Sequence, residues 1–571
     1  MRLFRLHFAF SLLALWAVVL VGRLFSLQVH DYGTFAAFAR GQQQVVEDLD
    51  PERGRVWGSS RGGETVPLAT NRDWKKLSAI PKDIQDVEGT STFLRDLLGL
   101  DVAAFTDLQT RLGREDDPYE PIADRLTDEQ VARIREAATP GLFLSDARGR
   151  FYPLGVRLAH VLGFVGHTDD GEERGVYGIE AKLESALRGV SGELRGERDG
   201  RGTILEAFSQ EAHPPQPGAD VFLTIDVNIQ YQAERALREI VDQFDAAGGT
   251  VVVMEPRTGF IRALANEPTF DPNEYGKVED LGAFMNPAIS AAYEPGSVFK
   301  AVTMAAALDS GAVTPETTYE NTGSVRIGGY TVTNTLQQYN GERTMVDVLR
   351  YSLNTGAVFA AEQAGQGAFR AYVNAFGFGT ATGIMLPNEA GGSLTNLETG
   401  RPINYATAAF GQGIAVTPLQ LVSALGAIAN GGTLMKPVLV EAIEYPNGAG
   451  EEFRSEPVRR VIQQRTATRL AAMMTRVVED GSGIRAKIPG YTVAGKTGTA
   501  EIPNVGTPGY GQDTIHTFVG FFPAFDARYV ILTKVDRPKA RYAESTAVPL
   551  FRRLAEYLIT YAAIPPDQPV E

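Results

Sequence analysis

Between Leu6 and Gly22 the chain carries no Asp, Glu, Lys or Arg, and Leu, Phe, Ala, Val and Trp dominate. As a helix this run spans roughly 25 Å, the short end of what a bilayer core requires. Arg23 can snorkel to the far interface and lengthen it. Arg2 and Arg5 precede the run, so the positive-inside rule puts the N-terminus in the cytoplasm and everything after residue 29 outside. A cleaved signal peptide is the rival reading. It needs a shorter apolar core and a small-x-small cleavage site, and Leu24-Phe25-Ser26-Leu27 offers none. No later stretch is long and apolar enough to span. The expectation is a single-pass protein with residues 1–29 as cytoplasmic tip and transmembrane anchor.

The exterior part is too long for one core. At 571 residues, with 44% hydrophobic and 22% charged residues, the chain calls for several globular domains. A net charge of −15 argues against a nucleic acid held along a long surface. There is no cysteine, hence no disulfide framework and no thiolate chemistry. None of the six histidines is spaced like the paired ligands of a helix zinc site, so no metal and no cofactor are expected. His516 alone falls near a motif of interest, at the start of a strand.

Residues 30–215 form one region, rich in Arg, Asp and Gly. "TDEQVARIREAA" reads as a helix N-capped by Thr127, and "GVYGIEAKLESALRGVSG" as a helix ended by Gly189. Gly58 to Gly62 matches G-x-S-x-G. That hydrolase pattern requires strand, sharp turn and helix, and these surroundings are turn-like on both sides, so the match is chance. "PPQPG" at 214–218 marks a linker. Beyond it "DVFLTID", "NIQYQAERALREIVDQF" and "GGTVVVMEP" read as strand, amphipathic helix and buried strand, opening a larger domain over 216–564. Residues 565–571, "PPDQPVE", read as a disordered tail.

Chemistry enters at "AAYEPGSVFKAVTMAAALDSG". Pro295-Gly296 breaks what precedes, and good helix formers follow to Asp309. Ser297 therefore sits at a helix N-terminus with Lys300 one turn on, on the same face. A serine hydroxyl needs a base to become a nucleophile. A lysine amine serves if burial and a nearby cation strip its proton. A second element, Ser352-Leu353-Asn354, breaks two helical patterns. A capping loop is its bland reading. Its functional one is a hydroxyl that passes a proton to a leaving group and an amide that holds a substrate backbone.

The third element, "PGYTVAGKTGTAEIP", has two readings. Gly490, Gly495, Lys496 and Thr497 fit the phosphate-binding pattern G-x-x-x-x-G-K-[ST]. That loop must run straight into a helix, and the Pro- and Gly-rich "AEIPNVGTPGYGQD" cannot supply one. "HTFVGFFPAF" and "ARYVILTKVD" read instead as two strands turning near Asp526, so Tyr491 to Ala500 reads as a strand of an antiparallel sheet. Gly495 and Gly498 would let another backbone approach, and an extended peptide could pair there. Lys496 would depress the pKa of Lys300 and attract an anion, with Thr497 and Thr499 hydroxyls on a carboxylate.

Ser352 follows Ser297 by 55 residues, and Lys496 follows Lys300 by 196. S-x-x-K, S-x-N and K-T-G in this order resemble the penicillin-binding proteins and serine β-lactamases. Most of the chain looks like a class B penicillin-binding protein, and "YEPGSVFK" is similar to FtsI-like cell-division members. "TAAFGQGIAVTPLQLVSALGAIANGG" resembles their segment before the KTG strand. "YPLGVRLAHVLGFVG" and "RLFSLQV" resemble their pedestal and anchor. "ERGRVWGSSRG" departs, with serines where the family shows an Asp-Arg pair. No glycosyltransferase module precedes and no terminal repeats follow, so class A is not expected.

The resemblance implies an α+β multidomain fold: transmembrane helix, elongated β-rich pedestal, then a penicillin-binding transpeptidase domain. That last domain would be an antiparallel sheet flanked by helices plus an all-helical subdomain. It implies catalytic roles for Ser297, Lys300, Ser352, Asn354 and Lys496, and substrate binding by Thr497, Gly498 and Thr499. The implied reaction is D,D-transpeptidation of peptidoglycan stem peptides through an acyl-enzyme, with backbone amides of Ser297 and Thr499 as the oxyanion hole. Implied partners are D-Ala-D-Ala stem peptides, β-lactams, the bacterial inner membrane and an FtsW- or RodA-type glycosyltransferase, with the catalytic domain periplasmic. An elongation-type transpeptidase, a D,D-carboxypeptidase or β-lactamase, and a non-catalytic β-lactam sensor or scaffold stay open as alternatives.

Overall fold

The apolar N-terminal run is a helix, Arg2–Phe25, extended by a π turn, Ser26–His30. It is the one helix among the described residues long and apolar enough to cross a bilayer. The computed structural model describes residues 2–35, 44–167, 173–197, 211–335, 339–504, 506 and 509–569. The chain gathers into two units, one of Met1–Arg53 with Arg188–Gly218, the other of Gly54–Leu187 with Ala219–Glu571. In the first, strand Gly192–Glu197 lies antiparallel between Gln44–Leu49 and Glu211–His213.

The second unit is built on two sheets. In the mixed one, Val56–Ser59 runs parallel to Asp220–Asp226 and antiparallel to Thr65–Ala79. Asp220–Asp226 continues to Val440–Glu444 and Gly450–Glu452, while Thr65–Ala79 carries Glu120–Leu126 and Leu142–Phe151. Strands from both sides of the "PPQPG" linker thus share one ladder. Residues 54–187 accordingly gather into one unit with Ala219–Glu571. Ser59 ends its strand and Ser60–Gly63 is a hairpin turn that leads into the next strand, so the G-x-S-x-G match lacks its helix.

The other sheet has five strands, all antiparallel, ordered Ile261–Glu267, Gly248–Met254, Tyr529–Asp536, Tyr510–Phe522, Ala494–Pro503. Every residue of Gly248–Met254 is buried, as its "TVVV" run requires of a central strand. One face is covered by the helices Val227–Gln243 and Ala547–Tyr561, whose Leu237, Ile240, Leu550 and Leu554 pack with Val251 and Ile531. Asp226 starts the first of these, its carboxylate accepting from the N–H groups of Asn228 and Ile229. Helices Lys300–Asp309, Asn354–Ala364, Pro418–Ala429 and Gln464–Asp480 form the helical layer around the other large core. Pro418–Ala429 is buried almost all round and begins with a capping box between Thr417 and Gln420.

Three local expectations meet the structure differently. Thr127 caps Asp128–Ala137 and forms a capping box with Gln130. The helix expected over 175–188 is two short pieces, Gly178–Lys182 and Glu184–Leu187, interrupted at Leu183; Gly189 follows at φ +79°. The expected tail folds back: Asp567 accepts from Thr492 N at 2.7 Å, and Asp567 and Gln568 N–H groups donate to Gly490 O. Asp567 and Gln568 are therefore held to the body, which corrects the disordered reading at those positions; residues 570 and 571 of the expected tail lie outside the described residues.

Candidate active site

Ser297 lies on a 3-10 turn, Gly296–Phe299, that runs directly into helix Lys300–Asp309. Two glycines fix this turn from opposite sides. Gly411 sits at φ +82°, its carbonyl accepting from Gly296 N, and a Cβ there would stand 2.1 Å from Gly296 O. Gly498 faces the same turn, and its Cβ would meet Val298 Cγ2 at 2.9 Å and Pro295 O at 3.0 Å. A side chain at either position would push the nucleophile's backbone out of place. Gly495 does a different job, leaving space for the ring of Phe518.

The three motifs converge on one hydroxyl. Lys300 Nζ donates to Ser352 O at 2.6 Å and lies 3.2 Å from Ser352 Oγ. Lys496 Nζ reaches the same Oγ at 3.0 Å, with Thr497 O at 3.1 Å. Ser352 holds this place with its backbone at φ +56°, a left-handed conformation costly for a side chain with a Cβ. A hydroxyl has one proton and two lone pairs, so Ser352 can accept from one amine while donating to the other. Ser297 itself is half-buried, and its hydroxyl has no hydrogen-bond partner among the described residues.

Both amines are removed from water, Lys300 at 1% and Lys496 at 0% exposure, and neither has a carboxylate within ion-pair distance among the described residues. Burial first, and then repulsion by Lys496, pulls Lys300 well below its ordinary value. Burial lowers Lys496 to about 7, opposed by the carboxyl of Glu544. A neutral amine facing a titrating cation is what a lysine general base requires.

The remaining expected residues frame this centre. Asn354 begins helix Asn354–Ala364 and donates through Nδ2 to Thr333 O at 2.8 Å. Thr497 Oγ1 lies 2.9 Å from Ser482 Oγ, and Thr499 Oγ1 accepts from Ala543 N at 3.2 Å, keeping its own proton to donate. The strand holding them is Ala494–Pro503, an edge strand as the pairing argument needs, starting three residues later than expected. No helix follows it, so the phosphate-loop reading fails. His516 pairs with Thr499 in the ladder, deep in its strand. Its ring nitrogens meet Thr514 and Thr546, and burial pushes it down to about 4, so it is a neutral structural residue.

Sequence reasoning did not find Ser482 or Glu544. Both come from turns distant in the chain and carry no local pattern. It also missed a cavity of about 440 Å³ beside the far end of the KTG strand. Glu294, Asn396, Gly413, Glu501, Pro503 and Ile515 are among its lining residues, and no Lys or Arg is. Glu294 accepts there from Gly413 N at 2.9 Å and from the Tyr510 hydroxyl at 3.1 Å.

Residues 249–556 match the penicillin binding protein transpeptidase domain, and residues 48–223 the penicillin-binding protein dimerisation domain. The chain is similar to stage V sporulation protein D of Bacillus subtilis, 32% identical across 88% of this chain and 77% of that protein. It is 30% identical to penicillin-binding protein PbpB of Mycobacterium tuberculosis, across 96% of this chain and 83% of that one. A probable peptidoglycan D,D-transpeptidase, PenA of Neisseria gonorrhoeae, is 29% identical across 99% and 94%. Among solved structures, penicillin binding protein 3 from Mycobacterium tuberculosis in complex with aztreonam superposes with a TM-score of 0.69 at 26% identity. That match covers 92% of this chain and 99% of that one. Penicillin binding protein 2X from Streptococcus thermophilus shares the fold, with a TM-score of 0.73 at 22% identity over 91% and 81%.

The chain belongs to the penicillin-binding protein transpeptidase family, a family of serine acyltransferases. The dimerisation domain ahead of the catalytic one makes it a class B member, as its motifs led one to expect.

Proposed function

We propose that this protein is a membrane-anchored peptidoglycan D,D-transpeptidase that cross-links stem peptides in septal wall synthesis. The observation that carries the reading is the Ser352 hydroxyl bridging two buried lysines beside Ser297. Neutral Lys300 takes the Ser297 proton as Oγ attacks the carbonyl of the penultimate D-Ala. Backbone N–H groups of Ser297 and Thr499 receive the oxyanion. Ser352 passes the proton on to the departing D-Ala amine, and the acyl-enzyme forms. The amine of a second stem peptide then attacks, giving up its proton along the same route, and Ser297 is released.

The peptide pairs with the edge strand Ala494–Pro503. Its terminal carboxylate lies against Lys496, Thr497 and Thr499, so residues before the scissile bond run towards Glu501 and the 440 Å³ cavity. Asn354 orients the peptide backbone through its amide. β-Lactams acylate Ser297 by the same steps. The helix Arg2–Phe25 anchors the protein in the inner membrane with the rest periplasmic, and an FtsW- or RodA-type glycosyltransferase is the partner.

Labelling with fluorescent penicillin tests this. The wild type should take up one stable label and Ser297→Ala none, and released D-Ala should appear together with cross-linked product when an amine acceptor is supplied. Rapid loss of label with no amine transfer would make the protein a hydrolase, and failure to label would leave a scaffold. Localisation of a tagged copy away from the division site would reject the septal role.

A further inference from the structure

Lys496 is wholly buried, yet its hydrogen bonds run only to Ser352 Oγ, Thr497 O and Thr497 Oγ1, none of which carries a full charge. An ammonium in that position is costly unless an anion stands near. Glu544 is the candidate anion. It lies on the turn Ala543–Ser545, packed on the strand that carries Lys496 through the bond from Ala543 N to Thr499 Oγ1. The turn is held in place beyond this point, since Thr546 Oγ1 meets His516 Nδ1 at 2.8 Å and Arg485 Nη1 donates to Glu544 O at 3.3 Å. Glu544 Oε2 is hidden from water and has no hydrogen-bond partner among the described residues. A buried carboxyl oxygen without a donor calls for an explanation, and a nearby cation is one.

We propose that Glu544 is the buried counter-charge of Lys496, a positioning residue that keeps Lys496 in its ammonium form before a substrate carboxylate arrives. The inference rests on the acyl-enzyme reading above. In that mechanism the Lys496 charge attracts the substrate carboxylate and holds Lys300 neutral. A bound substrate brings its own anion, so Glu544 acts on the free enzyme and is felt in the second-order rate of acylation.

The charged groups that act on the pair are Lys300 and Arg485, and His516 stands behind the same turn through Thr546. Burial and then Lys496 hold Lys300 well below its ordinary value, and His516 is pushed down to about 4 by burial and stays neutral. Arg485 favours the Glu544 anion, as Lys496 does, against the burial that raises its carboxyl. Glu544 in turn supports Lys496 against the burial that lowers it to about 7.

The test is the pH profile of Ser297 acylation by benzylpenicillin, for full-length protein in detergent. Glu544→Gln should move the alkaline limb to lower pH by about one unit, a loss of about tenfold at the pH where the wild-type rate is falling. At the acid end, where Lys496 is protonated in either protein, the rates should converge. Glu544→Asp should keep most of the limb in place. Should the Gln variant not fold, Glu544→Ser removes the same charge with a smaller side chain and must give the same shift. An unmoved limb in a folded neutral variant, or an equal shift in the Asp and Gln variants, overturns the inference while leaving the function standing. A wild type that benzylpenicillin does not acylate overturns the functional reading itself.

Discussion

Two places in the second unit bury charge, and they do so in opposite ways. Arg150, on strand Leu142–Phe151, is 2% exposed, and Glu180, in helix Gly178–Lys182, is 0% exposed. Arg150 Nε donates to Glu180 Oε1 at 2.5 Å and Nη1 to Gly54 O at 2.7 Å, so the charges are compensated by each other and by a backbone carbonyl. Lys300 and Lys496 are buried as deeply and face each other with neutral oxygens between them. The first arrangement fixes how a strand and a helix pack. The second destabilises the protonated form of a base and thereby makes a nucleophile. Buried charge is structural where it is matched, as at Arg150 and Glu180, and reactive where an amine such as Lys300 has burial and a second cation acting on it and no anion.

The comparison breaks most visibly at Lys300. Lys300→Met keeps the length and removes the amine, so acylation of Ser297 should fall by about 10⁴-fold, the upper end of what a general base contributes. Stability should not fall with it. The folded pKa of this lysine lies below its unfolded one, so between the two values the unfolded chain binds more protons and stability rises with pH. Below the folded value the cost of burying the amine is present in full. The Met variant should therefore exceed the wild type in Tm by the widest margin in acid, and the margin should close as pH approaches the unfolded value. A variant that loses activity and stability together would show that Lys300 is matched after all.

Glu180→Ala sharpens the same contrast from the other side. It strands a buried guanidinium and should cost about 3–5 kcal/mol, measured by denaturant unfolding. Acylation by the folded fraction should stay within about twofold, because no mechanism step touches this pair. A large loss of acylation at unchanged stability would mean that the Arg150–Glu180 pair takes part in the chemistry.

The sequence showed the reactive cluster more readily than the structural one. S-x-x-K sits on one helical turn, and K-T-G sits on one strand, so both are read from local spacing. Arg150 and Glu180 lie 30 residues apart and look like ordinary surface charges until the strand and helix pack. The same holds for Glu544 and Ser482, which reach the KTG strand from separate turns. The parallel pairing of Val56–Ser59 with Asp220–Asp226 was equally hidden, since pairing across so long a loop leaves no periodic signal in either strand. Local chemistry was legible, and what depends on long-range closure was not.

The C-terminal segment gives the smallest and most discriminating case. "PPDQPVE" has the composition of a free end, yet Asp567 Oδ1 accepts from Thr492 N at 2.7 Å, two residues before the KTG strand. Its own N–H and that of Gln568 close on Gly490 O. Thr492 N would otherwise be a buried donor with no acceptor, since Thr492 is 8% exposed. Asp567→Ala removes that acceptor and should cost about 1–3 kcal/mol, the range for a buried donor left unsatisfied. The strand start should loosen locally, seen as faster amide exchange at Thr492 with slower or equal change at Lys496, which the neighbouring strand secures on its other side. Unchanged exchange at Thr492 would mean that residues 565–569 rest on the body without holding it. The matched contact would then be structural in appearance only, unlike that of Arg150 and Glu180.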